Sequence, residues 1–314
     1  MTKPVLTVTL NPALDLTVSL GQLNTGAVNK ALSGHLHAAG KGINVSAVLK
    51  DLKHNVIATG YLGEDNHSLF HDFCENFNVK DEFIYLPGAT RINVKISESS
   101  AQVTDINLPG LSVPPAFWTR LKKSLTLLTA NCSAVILAGS LPPGLNSNAY
   151  AELITLFNDC DIPVLVDTSA EALVHAVAAK PTLIKPNTHE LGELTGTTIQ
   201  SESEIIAAGR KLVASGISNV VISDGPNGCY WITQNKVIKA VPPEMHVIST
   251  VGAGDSLVAG LAHTLVNDMD LHQGLQLACA ISAHAVEQIG VGIMDEARLK
   301  QITEQVQLSE IHEN

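Results

Sequence analysis

The chain has 314 residues, 45% hydrophobic and 16% charged, enough apolar material to bury a large core within one α/β domain. Its formal charge of −11 and pI near 5.5 argue against nucleic acid as a partner, because backbone phosphates demand clustered Lys and Arg, and the basic residues here are scattered. The same field repels small phosphorylated molecules, so any phosphate site must rest on a few local cations and backbone N–H groups.

In chain order, the start Met1-Thr2-Lys3-Pro4 leads straight into a strand-like run over 5–10 with no cleavable apolar segment. Later apolar runs are broken by Gly, His or charge, so the expectation is a cytoplasmic chain with no membrane span. The five cysteines form no CxxC pair and read as reduced, buried small hydrophobes. Residues 16–20, 91–97 and 102–107 alternate apolar and polar side chains, as half-exposed antiparallel strands of a small separate sheet do. Between them, helices are expected at 42–52 and 68–76, with a strand at 56–61.

From about residue 132 short β-branched runs at 134–138, 164–167, 182–185 and 220–223 alternate with helical spacing at 147–159, 169–178, 188–195 and 201–215. This is the pattern of βαβ units on a parallel sheet, whose functional loops gather at the strands' C-terminal ends.

The sharpest local signal is Ser249-Thr250-Val251-Gly252-Ala253-Gly254-Asp255-Ser256, which ends an extended stretch and opens an apolar helix over 257–266. A Gly-Ala-Gly turn at a helix start aims N–H groups outward beside the positive end of the dipole, as a transferring phosphoryl group requires. Asp255 is then either a residue of that anion site or an ordinary N-cap. Lys185-Pro186-Asn187-Thr188-His189-Glu190 lies where a strand gives way to a helix. Asn187 and Glu190, three apart, either face a metal-bound water or triphosphate together or cap the helix.

Ser223-Asp224-Gly225-Pro226-Asn227-Gly228 follows another apolar strand and reads as a plain turn or as the border of a nucleotide. Gly40-Lys41-Gly42 precedes a helix but is not a P-loop, since Gly42 stands where Ser or Thr is needed. The two glycines admit a close approach to the backbone, with Lys41 as a point charge. Arg91 is a second candidate for a phosphate or a solvated surface residue, and Asp15 either accepts sugar hydroxyls or belongs to a turn. His67 with His71, and His35 with His37, lack the companions of a zinc site. Neither a dinucleotide fingerprint nor a Gly-x-Ser-x-Gly elbow is present.

Taken in order, Asn11-Pro12-x-x-Asp15, Gly40-Lys41-Gly42-x-Asn44, Gly139-Ser140-Leu141-Pro142-Pro143-Gly144, Lys185-Pro186-Asn187-x-x-Glu190 and Thr250-Val251-Gly252-Ala253-Gly254-Asp255 resemble the PfkB, ribokinase-like sugar kinases over essentially the whole chain. The resemblance implies a three-layer αβα domain spanning 1–314, with a mostly parallel central sheet and a small β-sheet lid drawn from about 11–35 and 88–112. It implies Asp255 as the base that takes the acceptor hydroxyl's proton, and Gly252, Ala253 and Gly254 as the anion hole.

By the same resemblance Lys185, Asn187, Thr250, Gly254 and the loop Ser223, Asp224, Gly225, Pro226, Asn227 and Gly228 hold ATP, and Glu190 positions Mg2+. Asp15, Gly40, Lys41, Gly42, Asn44, Arg91 and Ser140 hold the sugar phosphate, Lys41 and Arg91 at its phosphate. Asp224 departs from the pattern, standing where relatives commonly carry an apolar residue.

Within the family, residues 37–45 and 90–95 are most similar to kinases that make fructose 1,6-bisphosphate from fructose 1-phosphate. Kinases of tagatose 6-phosphate and fructose 6-phosphate are close alternatives, because a ketohexose furanose keeps almost the same outline when its ends are exchanged. A sugar-phosphate-binding protein without turnover is a further alternative, against which the intact Asp255 and Gly-Ala-Gly turn count. A homodimer is expected, because a half-apolar sheet face tends to be covered.

Overall fold

The computed structural model describes residues 2–100 and 102–312. Along the chain run β1 (Val5–Thr9), β2 (Ala13–Leu20), β3 (Ser33–Ala39), α1 (Lys41–Asp51), β4 (Val56–Gly63), α2 (Ser68–Asn76), β5 (Lys80–Asp81), β6 (Ile84–Leu86), β7 (Ile92–Glu98), β8 (Val103–Ile106), α3 (Pro115–Thr129) and β9 (Ala134–Ala138). They continue with α4 (Ala149–Asn158), β10 (Val164–Asp167), α5 (Ala170–Ala178), β11 (Leu183–Ile184), α6 (Thr188–Thr195), α7 (Glu202–Ala214), β12 (Asn219–Ser223), β13 (Cys229–Ile232), β14 (Val237–Val241), α8 (Ala253–Val266), α9 (Leu271–Val286), α10 (Glu296–Gln305) and β15 (Gln307–Glu310).

The central strands are apolar on both faces, so they need helices on both. Successive side chains of β9 show this: Ala134, Ile136 and Ala138 enter one core with α1, α8 and α9, while Val135 and Leu137 enter the other with α3 to α7. The result is the three-layer αβα arrangement. The large sheet has the order β15-β14-β13-β12-β11-β10-β9-β1-β4-β5, with β6 also on β4, and it is parallel from β12 through β5. From β1 the chain builds first toward β4 and later, through β9, in the opposite direction, so the C-terminal ends of β1, β9 and β10 border the switch point where such sheets bind ligands.

Three features depart from the sequence reading. The small sheet has the order β3-β2-β7-β8, and β2 pairs with β7 in parallel rather than antiparallel. Strand β3 carries no clear signal, since Ser33–Ala39 has Leu36 as its one large apolar residue and is mostly exposed. The sheet's far edge is antiparallel, β13 and β14 folding back as successive hairpins and β15 adding to β14 after α10. Four of the five cysteines are buried as expected, whereas Cys160 is exposed. No helix among the described residues is long and apolar enough to cross a membrane.

Helix α8 begins one turn earlier than its apolar run, because Gly252 takes φ 81° as N-cap and the small Ala253, Gly254 and Ser256 carry no periodic signal. It is held tightly against α9: a Cβ on Gly260 would lie 2.5 Å from the Ala278 Cα. That contact fixes the height at which the α8 N-terminus meets the sheet.

Candidate active site

A cleft of about 1300 Å³ lies between the small sheet and the C-terminal ends of β1, β9 and β10. At its floor is Asp167, the last residue of β10 and 1% exposed. Lys41 Nζ stands 3.2 Å from Asp167 Oδ2, and Lys185 Nζ stands 3.4 Å from Oδ1 as an ion pair without hydrogen-bond alignment. Burial pushes the Asp167 carboxyl up, but Lys185 and Lys41 outweigh it and hold the group below the usual carboxylate range. Burial pulls the Lys41 amine down, and Asp167, Asp255 and Glu190 more than reverse this, so it sits above the ordinary lysine value. Lys41 therefore stays charged beside the Asp167 carboxylate.

Asp255 lies in the first turn of α8, 7% exposed, rather than at its cap. Its Oδ2 accepts a hydrogen bond from Asn44 Nδ2 at 2.6 Å, which ties α8 to the first turn of α1. Burial, then the neighbouring Asp167, raises its pKa to about 6, against the downward pull of Asn44, Lys41 and Lys185. The helix dipole does not dominate here, as it would at an exposed cap. Beside it the amides of Gly254 and Asp255 have no backbone acceptor among the described residues, the Ala253 amide donates to the Thr250 carbonyl at 3.4 Å, and Gly252 and Gly254 keep that surface bare of side chains.

Asn187 and Glu190 form a full capping box at the start of α6: Asn187 Oδ1 accepts from the Glu190 amide at 2.8 Å, and Glu190 Oε2 from the Asn187 amide at 2.9 Å. The capping alternative is the one observed, and both side chains also border the cleft. Next to it an apolar cavity of about 680 Å³ is lined by Ser223, Gly225, Pro226, Gly228 and Thr250, and closed by Pro242, Met245, Val247 and Ala283. Asn187, Ser223, Thr250 and Gly254 belong to both spaces and join them into one path. Asp224 and Asn227 bond each other, Asn227 Nδ2 donating to Asp224 Oδ2 at 3.1 Å, and line a separate pocket of about 480 Å³ with Glu202, Tyr230 and Lys239. Their polar side chains thus stand outside the apolar cavity.

At the other end of the cleft, Asp15 on β2 accepts from Asn93 Nδ2 at 3.2 Å and pairs with Lys95 Nζ at 3.2 Å. Arg91 donates to the carbonyls of Pro12, Leu108 and Asn11 and, at 3.5 Å, to Ser140 Oγ. Gly40, with φ 133°, and Gly42 turn the chain from β3 into α1 against Thr9, and a side chain on either would strike it. Lys41 and Arg91, read together from the sequence, thus belong to different bonded groups. Asp167 and the wall from 242 to 247 carry no role in the sequence reading, and Asn93 and Lys95 enter it only as part of the 90–95 motif, without a site role of their own. Of these, Asp167 had a usable signal, a carboxylate ending a wholly apolar strand.

A mononucleotide-sized apolar cavity leading to paired lysines, a bare helix N-terminus and a buried carboxylate is the apparatus of phosphoryl transfer to a hydroxyl. The chain belongs to the pfkB family of carbohydrate kinases, whose model matches residues 8–298, so it is a sugar phosphotransferase with ATP as co-substrate. It is 44% identical over 312 residues to the 1-phosphofructokinase of Vibrio cholerae, covering 99% of this chain and 98% of that one. It is 41% identical over 308 residues to the 1-phosphofructokinase of Haemophilus influenzae, covering 98% of each. Among solved structures, the tetrameric inhibited form of phosphofructokinase-2 from Escherichia coli superposes with a TM-score of 0.89 at 25% identity, covering 96% of this chain and 99% of that one.

Proposed function

We propose that the chain transfers the γ-phosphoryl group of ATP to fructose 1-phosphate, yielding fructose 1,6-bisphosphate. The observation that carries this reading is the meeting of Asp255, the bare α8 N-terminus and the Lys41–Asp167–Lys185 array at one end of a cleft whose other end, on the small sheet, is cationic and polar. In this reading Asp255 accepts the proton of the attacking hydroxyl, and the amides of 252–254 stabilise the transferring group's oxygens. Lys41 and Lys185 follow its charge from the nucleotide side to the sugar side. Asp15, Asn44, Ser140 and the backbone at Gly40 and Gly42 orient the sugar, and Arg91 contributes to its phosphate end. The base of ATP occupies the apolar cavity, with Asn187 along the phosphates.

Magnesium fits the donor set. Glu190 offers a carboxylate beside the amide of Asn187, and no group of three or more His, Cys, Asp or Glu side chains gathers as a metal cage among the described residues. Mg2+ is commonly held by one or two carboxylates together with substrate phosphates. Bound there with ATP, it would neutralise charge on the triphosphate.

ADP release measured side by side with fructose 1-phosphate, fructose 6-phosphate and tagatose 6-phosphate tests the assignment. The highest kcat/KM is expected with fructose 1-phosphate, and a higher value with either of the others would replace it. An absence of turnover with all three would favour the binding-protein alternative.

The small sheet is proposed as a lid over the sugar and as a dimer surface. On the face opposite Asp15 and Asn93, Leu36, Leu16, Val94 and Ile106 stand in one register row across all four strands, with Leu36 41% and Ile106 50% exposed. A second copy of the chain would cover this row. Sedimentation is expected to show a dimer for the wild type and a monomer for Leu36→Glu. A wild type that stays monomeric at assay concentration would remove the pairing and leave the lid untouched.

A further inference from the structure

The fructose 1-phosphate reading requires a cation for the phosphate the sugar already carries, and free donors and position together single one out. Arg91 has five N–H groups, and four are engaged: Nε with Pro12, one Nη1 hydrogen with Leu108, and both Nη2 hydrogens with Asn11 and Ser140. Only one remains for a ligand. These bonds join the turn between β1 and β2, the entry to β7, the end of the β8 segment and the loop after β9, so Arg91 is built into the hinge of the small sheet. Lys41 is committed to Asp167 at the transfer end.

Lys95 differs from Arg91 in its free donors and from Lys41 in its place, at the sugar end of the cleft. It is the one Lys or Arg within the four strands of the small sheet. Its side chain borders the cleft, is 19% exposed, and is held by Asp15, which uses one of its three N–H groups. Asp15 takes Asn93 on its other oxygen, so the pair is fixed from both sides. Asp105, the cross-strand neighbour of Lys95, is exposed and makes no ion pair among the described residues. The charge at this end of the cleft is two cations, Arg91 and Lys95, against the one buried carboxylate of Asp15. On the large-sheet side of the cleft it is two lysines against Asp167, Glu171, Glu190 and Asp255. A dianionic phosphate belongs at the first end.

We propose that Lys95, presented to the cleft by Asp15, anchors the phosphate already on the sugar and sets the preference for a phosphorylated over a neutral ketohexose, while Arg91 chiefly holds the hinge.

The test compares wild type, Lys95→Met and Lys95→Gln with fructose 1-phosphate, with unphosphorylated fructose and with varied ATP. Lys95→Gln keeps a hydrogen-bond donor for Asp15 but no charge. Both variants are expected to raise KM for fructose 1-phosphate by roughly 10- to 100-fold, the usual worth of a charge-assisted contact, with KM for ATP and saturating kcat within about threefold of wild type. The ratio of kcat/KM between fructose 1-phosphate and fructose should collapse by the same factor. If Lys95 merely positioned Asp15, Lys95→Gln would restore wild-type behaviour and both sugars would fall together in Lys95→Met, and either result overturns the proposal. A wild type inactive on every ketohexose phosphate would sink the functional reading and this inference with it. A wild type active on fructose 1-phosphate, with KM unchanged in both variants, would sink the Lys95 assignment alone.

Discussion

Asp255→Asn is expected to lower kcat by roughly 10²- to 10⁴-fold, the range typical of losing a general base, with KM for ATP and for the sugar phosphate little altered. The structure sharpens the reason. The carboxylate is buried, one oxygen is taken by Asn44, and the other is left for the acceptor hydroxyl. Its pKa of about 6 lies close enough to neutrality for it to be ionised at rest and still be a useful proton acceptor. In the wild type kcat/KM should rise with pH through about 6 and level off above it, and the residual kcat/KM of the Asn variant should lack that step.

Stability carries an independent signature of the same burial. The folded pKa is raised from 3.8 to about 6, so ionised Asp255 opposes folding, beginning above pH 3.8 and complete above about 6. The cost is on the order of 3 kcal/mol at most. An amide lacks this cost and can still accept from Asn44, so the variant should be at least as stable as wild type at pH 8, with a smaller advantage at pH 5. A folded Asn variant that turns over within about threefold of wild type would reduce Asp255 to a structural residue.

Asp167→Asn should be the most destabilising single change in the site. Its carboxylate is 1% exposed and serves two lysines, one of them, Lys185, 5% exposed. Removing one member of a buried charged group typically costs about 3–5 kcal/mol, because the partner charge is left uncompensated. Since Asp167 is held below the usual carboxylate range, its stabilisation is present above the unfolded value of 3.8 and is lost only as pH falls through the lower folded value. The gap between wild type and variant should therefore persist through neutral pH and close only in strong acid. Denaturant unfolding at pH 7 and pH 3 measures it. Asp167→Leu combined with Lys185→Met should recover much of the loss, as removing both charges relieves the mismatch. If the double variant is no better than the single one, the instability has another origin.

The part of the chain most legible in sequence was the run of βαβ units after residue 132, because a strand buried on both faces advertises itself as an unbroken apolar run, as at 134–138 and 164–167. The glycine-rich start of α8 was equally plain. What stayed hidden was whatever depends on residues meeting from distant segments. The parallel pairing of β2 with β7 is set by register between positions 78 apart, and nothing local marks it. Asp167 gains meaning only when α1 brings Lys41 and the end of β11 brings Lys185 to either side of it. The apolar cavity is made by the 242–247 connection facing α9, two segments that separately look like loop and core. Lys95 was in view as part of a motif, but its freedom as a donor is visible only beside the four bonds of Arg91.

The hydrogen bond between Asn44 and Asp255 closes a separation of 211 residues. Closing so long a loop comes late and only on an already assembled scaffold, since its entropy must be offset by contacts made elsewhere. During synthesis the small sheet and both phosphate-facing lysines would emerge well before α8, giving a nascent chain that can order its sugar side while its base has yet to be made. Chains halted before residue 255 should therefore retain parts of the cleft and no turnover, so that catalysis waits for α8 to join the fold.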